Sequence, residues 1–134
     1  MQKTYKMKDG YEIKVSLRRK GESRAMLNGP HYAYRIIVEG GGLKYTTTFH
    51  DSIANYCRSR RPNIDEAFEC LLGDYQAYDD NRTLNEFCEC FCYDMETDAA
   101  KGRRAFDGCK RAYEGLHDII SDYYYELNEM VVGA

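Results

Sequence analysis

Three cysteines at alternate positions, Cys88, Cys90 and Cys92, form the densest group of reactive side chains in the sequence. Thiolates bind zinc and also form redox pairs. The segment has the pattern of a helix, on which Cys88 and Cys92 share a face while Cys90 points away, so the three do not converge on one metal ion. Structural zinc sites usually use CxxC pairs, which this chain lacks, although Cys70, Cys109 or a histidine would complete a tetrahedral set. We therefore expect buried, inert thiols, no metal and no cofactor.

No other spacing in the sequence predicts a catalytic group. His31, His50 and His117 lie at a loop end, a strand end and in a helix, and none has a neighbouring nucleophile for which it would act as a base. The Gly40-Gly41-Gly42 run precedes a strand and does not open a helix, which favours a hairpin turn over a phosphate-binding loop. We expect a protein that is not an enzyme.

Length and composition are those of one ordinary globular domain of 134 residues, with 43% hydrophobic and 31% charged residues. The first residues lack the apolar core of a secretory signal, and no run approaches the ~20 apolar residues of a membrane span. These features predict a cytoplasmic protein with reduced thiols and no membrane partner. Tyrosine is abundant, and the Tyr123-Tyr124-Tyr125 run must expose at least one ring on a helix.

The first half of the chain alternates apolar and polar residues with the period of two that is typical of strands. Three strands are predicted, with apolar faces made by Tyr11, Ile13, Val15 and Leu17, by Tyr32, Tyr34, Ile36 and Val38, and by Leu43, Tyr45, Thr47 and Phe49. The triple glycine should form a hairpin between the last two. A leading strand over residues 4–8 would turn at Asp9-Gly10, and residues 20–30 are expected to be a loop.

From residue 51 onward the apolar spacing becomes that of helices. A short helix is expected from Asp51 to about residue 57, ending at a basic run and Pro62. Asn63 is a good N-cap for a second helix, which should close at Gly73 and the polar residues 78–81. Its apolar stripe is Ile64, Ala67, Phe68, Leu71 and Leu72.

Two more helices are predicted after it. Thr83 and Glu86 fit a capping box before a helix whose stripe is Leu84, Phe87, Cys88 and Phe91. The last helix should start near residue 97 and run to about residue 130, with close packing or a kink at Gly102, Gly108 or Gly115. Its inward set is Phe106, Cys109, Tyr113, Leu116, Ile120, Tyr123, Tyr124 and Leu127.

These elements predict an α+β fold, in which an N-terminal antiparallel sheet of three to four strands is covered on one face by three to four C-terminal helices. The whole chain, residues 1–134, is expected to be one domain with a basic sheet half, 1–50, and an acidic helical half, 51–134. Residues 1–61 hold thirteen Lys and Arg against five acids, a net charge of +8, and the remainder carries −11.

The two charged layers give two candidate partner surfaces. The solvent face of the sheet would carry the basic set Lys6, Lys14, Arg18, Arg35 and Lys44, which could follow a phosphate backbone. The helical half carries the acidic set Asp74, Asp79, Asp80, Glu86, Glu89, Asp94, Glu96 and Asp98, which would imitate phosphates in the nucleic-acid channel of a partner protein. A third interpretation is that both layers are simply solvated, since charge asymmetry alone is a weak functional signal.

The segments 64–74, 84–94, 99–101 and 105–109 carry a further pattern, which covers about residues 62–115. This part of the helical half resembles small proteins of phages and other mobile elements. In that pattern an acidic amphipathic helix ends at Gly-Tyr-Asp, and a second helix carries an aromatic residue and then a cysteine. This chain has Cys92 where the pattern has glycine. The resemblance implies a mobile-element accessory protein, some of which inhibit bacterial defence systems such as CRISPR nucleases, and it transfers no catalytic residue.

The resulting expectation is a non-catalytic phage protein, anti-CRISPR-like and a DNA mimic, that binds and inhibits a host defence nuclease through a charged surface. The alternative is a small accessory protein that binds nucleic acid with the basic sheet face. The partners expected are therefore a host defence nuclease or its nucleic-acid complex, nucleic acid itself, and a second copy of the chain in a homodimer.

Overall fold

A computed structural model describes the backbone of residues 1–23, 31–50 and 63–133, and the side chains of residues 1–18, 34–48 and 63–133. The predicted helix over residues 51–57, the basic run before Pro62, most of the predicted loop and the side chains of His31, His50 and Cys57 lie outside these ranges.

The first half of the chain forms a four-stranded antiparallel sheet, as the alternation predicts. The strands β1 (Gln2–Lys6), β2 (Glu12–Ser23), β3 (His31–Gly40) and β4 (Leu43–His50) follow one another across the sheet in chain order. The hairpin between β3 and β4 turns at Gly41 and Gly42, whose φ angles are +58° and +79°. Two successive positive φ angles match the right-handed twist of the flanking strands, which confirms the turn expected from the glycine run.

Strand β2 continues beyond the predicted start of the loop at residue 20. It stays paired with β3 up to Ser23, through a shift of register between Arg19 and Gly21. A bulge of this kind inserts an extra residue without ending the ladder. The expectation of a loop over residues 20–23 was therefore wrong, because a bulge hides the alternation on which the strand prediction depends.

The second half of the described chain is helical, which confirms the α+β class. It contains α1 (Ile64–Asp80), α2 (Leu84–Cys90), α3 (Ala99–Ile120), a 3₁₀ turn (Ser121–Tyr123) and α4 (Tyr124–Val132). The predicted caps are present, since the amide of Glu66 donates to Asn63 Oδ1 at 2.8 Å and the amide of Glu86 donates to Thr83 Oγ1 at 3.2 Å. Helix α1 continues through Gly73 and ends only at the polar residues that follow. No helix in the described ranges is long and apolar enough to cross a membrane.

The last predicted helix is interrupted, and three of its inward residues are only half-buried. The 3₁₀ turn separates α3 from α4, so one helical phase does not extend across residues 121–123. Tyr113, Tyr123 and Tyr124 are half-buried, whereas the other predicted inward residues are buried. Two other stripe positions also differ: Phe91, just past the end of α2, is 46% exposed, and Leu43, beside the hairpin turn, is 47% exposed.

The described chain forms two compact units, one of residues 1–69 with 119–134 and one of residues 70–118. In the first unit, one face of the sheet is buried and packs against the start of α1 and the C-terminal segment. Tyr5 contacts Phe68 with ring centroids 5.5 Å apart, and Tyr11 stacks on Tyr123 at 4.4 Å. The buried residues of this sheet face are Tyr5, Met7, Ile13, Val15, Leu17, Tyr34, Ile36 and Val38.

In the second unit, α2 and α3 pack around a small apolar cluster made by Phe87, Cys88, Phe106 and Cys109. The helices approach closely at Gly102, where an added Cβ would lie 2.7 Å from Cys88 Sγ. The close packing predicted for a glycine of the last helix is therefore present at this residue.

Candidate functional site

The solvent face of the sheet collects all five residues of the basic set. Strand pairing places Lys14 opposite Glu39, Glu39 opposite Lys44, and Arg18 opposite Arg35, with Lys6 on β1 opposite Glu12. All of these side chains alternate with the buried residues of the other face. We call this surface the basic face and define it by Lys6, Lys14, Arg18, Arg35 and Lys44.

The charge of the basic face is unevenly neutralised. Its described part holds these five cations and two carboxylates, Glu12 and Glu39, a net charge of +3. Glu39 lies between two lysines and approaches Lys14 Nζ to 3.9 Å. Glu12 lies opposite Lys6 in the same way, so the excess positive charge is concentrated at the arginines.

Arg18 and Arg35 form the least compensated part of the basic face. They are direct neighbours on adjacent strands, both are exposed, and neither forms an ion pair with any residue of the described ranges. Like charges directly opposite each other destabilise a sheet. Their planar guanidinium groups are suited to bidentate contacts with phosphate or carboxylate oxygens.

The basic face lacks aromatic side chains within the described strands. The aromatic residues of β1 and β3 with described side chains, Tyr5 and Tyr34, belong to the buried face, and Tyr45 on β4 points to the same side. The described side chains of this surface therefore offer no ring for stacking on unpaired bases, the contact that gives single-strand binding proteins much of their affinity. The chemistry it offers is contact with anions such as the phosphates of a nucleic-acid backbone.

Hydrogen bonds at the edges of the buried face hold the sheet in place within the first unit. Lys3 Nζ donates to both carboxylate oxygens of Asp65 at 2.8 Å, and the hydroxyl of Tyr5 donates to the same carboxylate. Burial, together with the bond to Asp65, raises the pKa of Tyr5. Near the first turn, the hydroxyl of Tyr123 donates to Asp9 at 2.8 Å, which raises the pKa of Tyr123 to about 12. These bonds fix β1 and β2, which carry three of the five cations.

All eight residues of the acidic set lie in the second unit, on α1, on α2 and in the segment before α3. Seven are exposed and Asp98 is half-buried. Helical spacing separates Asp74 from Asp79 by more than a third of a turn, whereas Glu86 and Glu89 share one side of α2. The residues of the acidic set are therefore distributed over several elements and do not form one row.

Most of the acidic set lacks a cationic partner in the described part of the chain. Asp79 is the exception, since it accepts from Arg82 at 2.8 Å. Asp94 Oδ1 accepts from the amide of Glu96 at 2.8 Å, and Asp80 accepts from Gln76. These local bonds order the segment without neutralising it.

Asp74 has a distinct environment within the acidic set. Although much of the residue is exposed, its carboxyl lies beside the thiol of Cys109, and desolvation raises its pKa. Burial and the charge of Asp74 in turn raise the pKa of Cys109 to about 12, so this thiol is protonated and unreactive at neutral pH.

The cysteines are not uniformly buried, contrary to the prediction. Cys88 and Cys109 are buried, but Cys70, Cys90 and Cys92 are exposed. The sequence placed Cys88 and Cys92 on one face of a helix, yet α2 ends at Cys90 and Cys92 has a φ angle of +60°. Among the described residues, no group of three or more potential ligands could hold a metal ion.

Sequence reasoning missed a cluster of rings around one arginine in the second unit. Arg82 lies 4.5 Å from the ring centroid of Tyr113 and 5.1 Å from that of Tyr78, and its guanidinium donates to the hydroxyl of Tyr113 at 2.9 Å. The hydroxyl of Tyr75 lies 3.1 Å from His117 Nδ1. Only the spacing of Tyr113 and His117 on one helix face hinted at this cluster, because the other contacts join distant parts of the sequence.

The tyrosine run exposes one ring, as predicted. Tyr125 is 83% exposed on α4 and lines a shallow groove with Met130, between the carboxylates of Glu126 and Glu129 and the lysines Lys6 and Lys8. Glu126 already accepts a hydrogen bond from the amide of Lys8 at 2.7 Å. Charges of both signs thus meet in this groove.

No protein-family model matches the chain, and neither curated proteins nor solved structures include a significant match.

Proposed function

We propose that this protein is a small, non-catalytic accessory protein that binds nucleic acid through the basic face, in the cytoplasm of a host cell. The pair formed by Arg18 and Arg35 supports the proposal most directly. Neither guanidinium has an ion-pair partner among the described residues, and like charges directly opposite each other destabilise a sheet, so an external anion beside them would be stabilising. A phosphate backbone supplies such anions at regular intervals, and each neutralised phosphate releases counterions.

The shape of the basic face also limits the mode of binding. The face is an open sheet without aromatic side chains in the described strands, so contacts to the phosphate backbone would outnumber contacts to bases. Binding is therefore expected to depend strongly on salt and weakly on sequence.

The test is fluorescence anisotropy with a labelled duplex of arbitrary sequence over a series of salt concentrations. The double variant Arg18→Gln/Arg35→Gln is expected to weaken binding at least tenfold. The matched control Lys101→Gln/Arg103→Gln removes two exposed cations of α3 and should change binding less than twofold. Equal losses in both variants, or no binding by the natural sequence at low salt, would refute the proposal.

A second candidate function is inhibition of a host defence nuclease through the acidic set. It is favoured by the exposure of these carboxylates, of which only Asp79 has a cationic partner among the described residues. The resemblance to mobile-element proteins over residues 62–115 points to the same class of target. In this interpretation the carboxylates occupy a basic channel that normally holds nucleic acid.

Cleavage assays distinguish the two functions. A nuclease inhibitor would block an RNA-guided nuclease at stoichiometric concentration, and added substrate DNA would relieve the block. The variant Glu86→Gln/Glu89→Gln should then reduce inhibition, whereas Glu114→Gln/Asp118→Asn, also exposed in the second unit, should not. Inhibition that disappears with Arg18→Gln/Arg35→Gln instead would indicate sequestration of the substrate and favour the first function.

A further inference from the structure

The outer edge of β4 has no hydrogen-bonding partner among the described residues. No strand lies beyond β4 in the sheet formed by the described residues. Gly40 and Leu43 close the two-residue turn as a hydrogen-bonded pair, and such pairs alternate along an antiparallel ladder. The backbone N–H and C=O groups of Lys44, Thr46 and Thr48 therefore point away from β3, toward this edge.

The two edges of the sheet differ in how they are protected. Edge strands usually discourage further pairing by short length, charged side chains or proline. Strand β1 has five residues and carries Lys3 and Lys6. Strand β4 has eight residues, LKYTTTFH, with Lys44 as its lysine, no acid and no proline, and threonine and aromatic residues favour strand pairing.

We propose that β4 pairs with β4 of a second copy of this chain, antiparallel and about a two-fold axis at Thr46. In this register Thr46 lies opposite the partner's Thr46, and Lys44 lies opposite the partner's Thr48. All three open residues of β4 then enter hydrogen-bonded pairs, and each such pair exchanges two bonds. An axis at Lys44 would instead place two lysines opposite each other, which is unfavourable.

The side chains of β4 suit this register on both faces. Tyr45 and Thr47 are half-buried on the side of the core, and Tyr45 would lie opposite the partner's Thr47. Pairs of an aromatic with a β-branched residue are among the favourable cross-strand contacts. Lys44, Thr46 and Thr48 are exposed on the other side.

The symmetry has a consequence for the basic face. A two-fold axis perpendicular to the sheet keeps the outward faces of both copies on the same side. The two basic faces then form one surface across eight strands. The pairing itself rests on the backbone of β4 and does not depend on the function proposed above.

Sedimentation equilibrium of the purified full chain over a wide concentration range tests the pairing. The interface is small, so a dimer that dissociates in the micromolar range is expected. The variant Thr46→Pro removes an edge N–H that β3 does not use, and proline is tolerated on edge strands. We expect it to raise the dimer dissociation constant at least tenfold.

Thr4→Pro is the matched control on the opposite edge. Met1 and Leu17 exchange both backbone bonds, so odd-numbered residues of β1 bond to β2 and the N–H of Thr4 points outward. This variant should leave the dissociation constant unchanged. A monomer at all concentrations, or a dimer weakened equally by both prolines, would overturn the proposal.

Two lysine variants test the pairing if a proline prevents folding. Thr46→Lys retains the backbone N–H but would bring two lysines together at the axis, while Thr4→Lys adds the same charge to β1. Circular dichroism is used to check that both variants are folded. Loss of the dimer in Thr46→Lys alone supports the pairing, and a dimer that persists in Thr46→Lys excludes it.

Discussion

At the scale of single residues, Asp65 connects the start of α1 to the edge strand β1. It accepts two hydrogen bonds from Lys3 and one from the hydroxyl of the buried Tyr5. Desolvation alone would raise the pKa of Asp65, but the bonds from Lys3 and Tyr5 and the charge of Lys3 lower it below its ordinary value of 3.8. The carboxylate form is therefore favoured by folding.

The substitution Asp65→Asn should destabilise the protein by about 1 kcal/mol at neutral pH, because it weakens charge-assisted hydrogen bonds. A lowered folded-state pKa gives stability that is fully present above the unfolded-state pKa and is lost as pH falls through the folded-state pKa. Urea unfolding between pH 7 and pH 2 should show the difference between the two proteins closing on acidification. Glu69→Gln, an exposed change on the same helix, should have little effect. A difference that is independent of pH would contradict this account.

Cys92 occupies a backbone conformation that favours glycine. Its φ angle is +60°, and the amide of Tyr93 donates back to the carbonyl of Cys88 at 2.9 Å, the bond of a Schellman helix end. Cysteine therefore occupies a turn that suits glycine, in a left-handed conformation that is unfavourable for side chains.

Cys92→Gly is expected to stabilise the protein by about 0.5–1 kcal/mol, since glycine adopts positive φ without strain but gains more entropy on unfolding. Cys90→Gly is the matched control, because the same change within the last turn of α2 should destabilise by about 0.3 kcal/mol, the difference in helix propensity between cysteine and glycine. Thermal unfolding of the reduced proteins measures both. If the two variants shift stability in the same direction, the strain assigned to Cys92 is wrong.

At the scale of elements, the approach of α2 to α3 depends on Gly102. An added Cβ would lie 2.7 Å from Cys88 Sγ and 3.3 Å from Tyr93 Cβ. Gly102→Ala should therefore destabilise by about 1–3 kcal/mol through overpacking, despite the higher helix propensity of alanine. Gly73→Ala, where nothing lies within 4 Å of the added carbon, should instead stabilise α1 by up to about 1 kcal/mol. Chemical unfolding distinguishes the signs, and adding Cys88→Ala should rescue part of the loss at Gly102.

Local patterns predicted the elements that depend on local physics. The alternation in β2 and β3, the glycine turn and the caps at Asn63 and Thr83 are each decided by a few neighbouring residues, and the structure confirms them. The bulge in β2 and the 3₁₀ turn at residues 121–123 could not be predicted in this way. Each interrupts the regular period from which a strand or a helix is predicted.

The candidate site shows the same contrast between what local patterns predict and what requires the folded structure. Alternation alone placed the basic set on one face of the sheet, because side-chain direction in a strand has a fixed period of two. It could not give the neighbours of each cation, since the opposition of Arg18 to Arg35 depends on strand register. The contacts of Arg82 with Tyr78 and Tyr113 likewise required the tertiary structure.

At the scale of the whole molecule, the structure redistributes the charges that the two halves of the sequence separate. The unit of residues 70–118 contains eleven acids and six bases, a net charge of −5, and the other unit carries +2. Asp65, Glu66, Glu69 and the acids near the C-terminus belong to the unit of the sheet, so the contrast is smaller than +8 against −11. Within the described residues of the sheet unit, the positive charge is clearest on the basic face.

The salt dependence of DNA binding should indicate whether one or two copies of the chain contact the duplex through the basic face. Four cations, Lys6, Arg18, Arg35 and Lys44, lack a described carboxylate within ion-pair distance, which predicts a slope of log K against log salt of about −3 to −4 for one chain on duplex DNA. Two faces joined through β4 should roughly double it. Thr46→Pro is thus expected to halve the slope in anisotropy titrations on a long duplex, while Thr4→Pro leaves it unchanged. Equal slopes for the natural sequence and Thr46→Pro would mean that single chains bind, even if β4 pairs in solution.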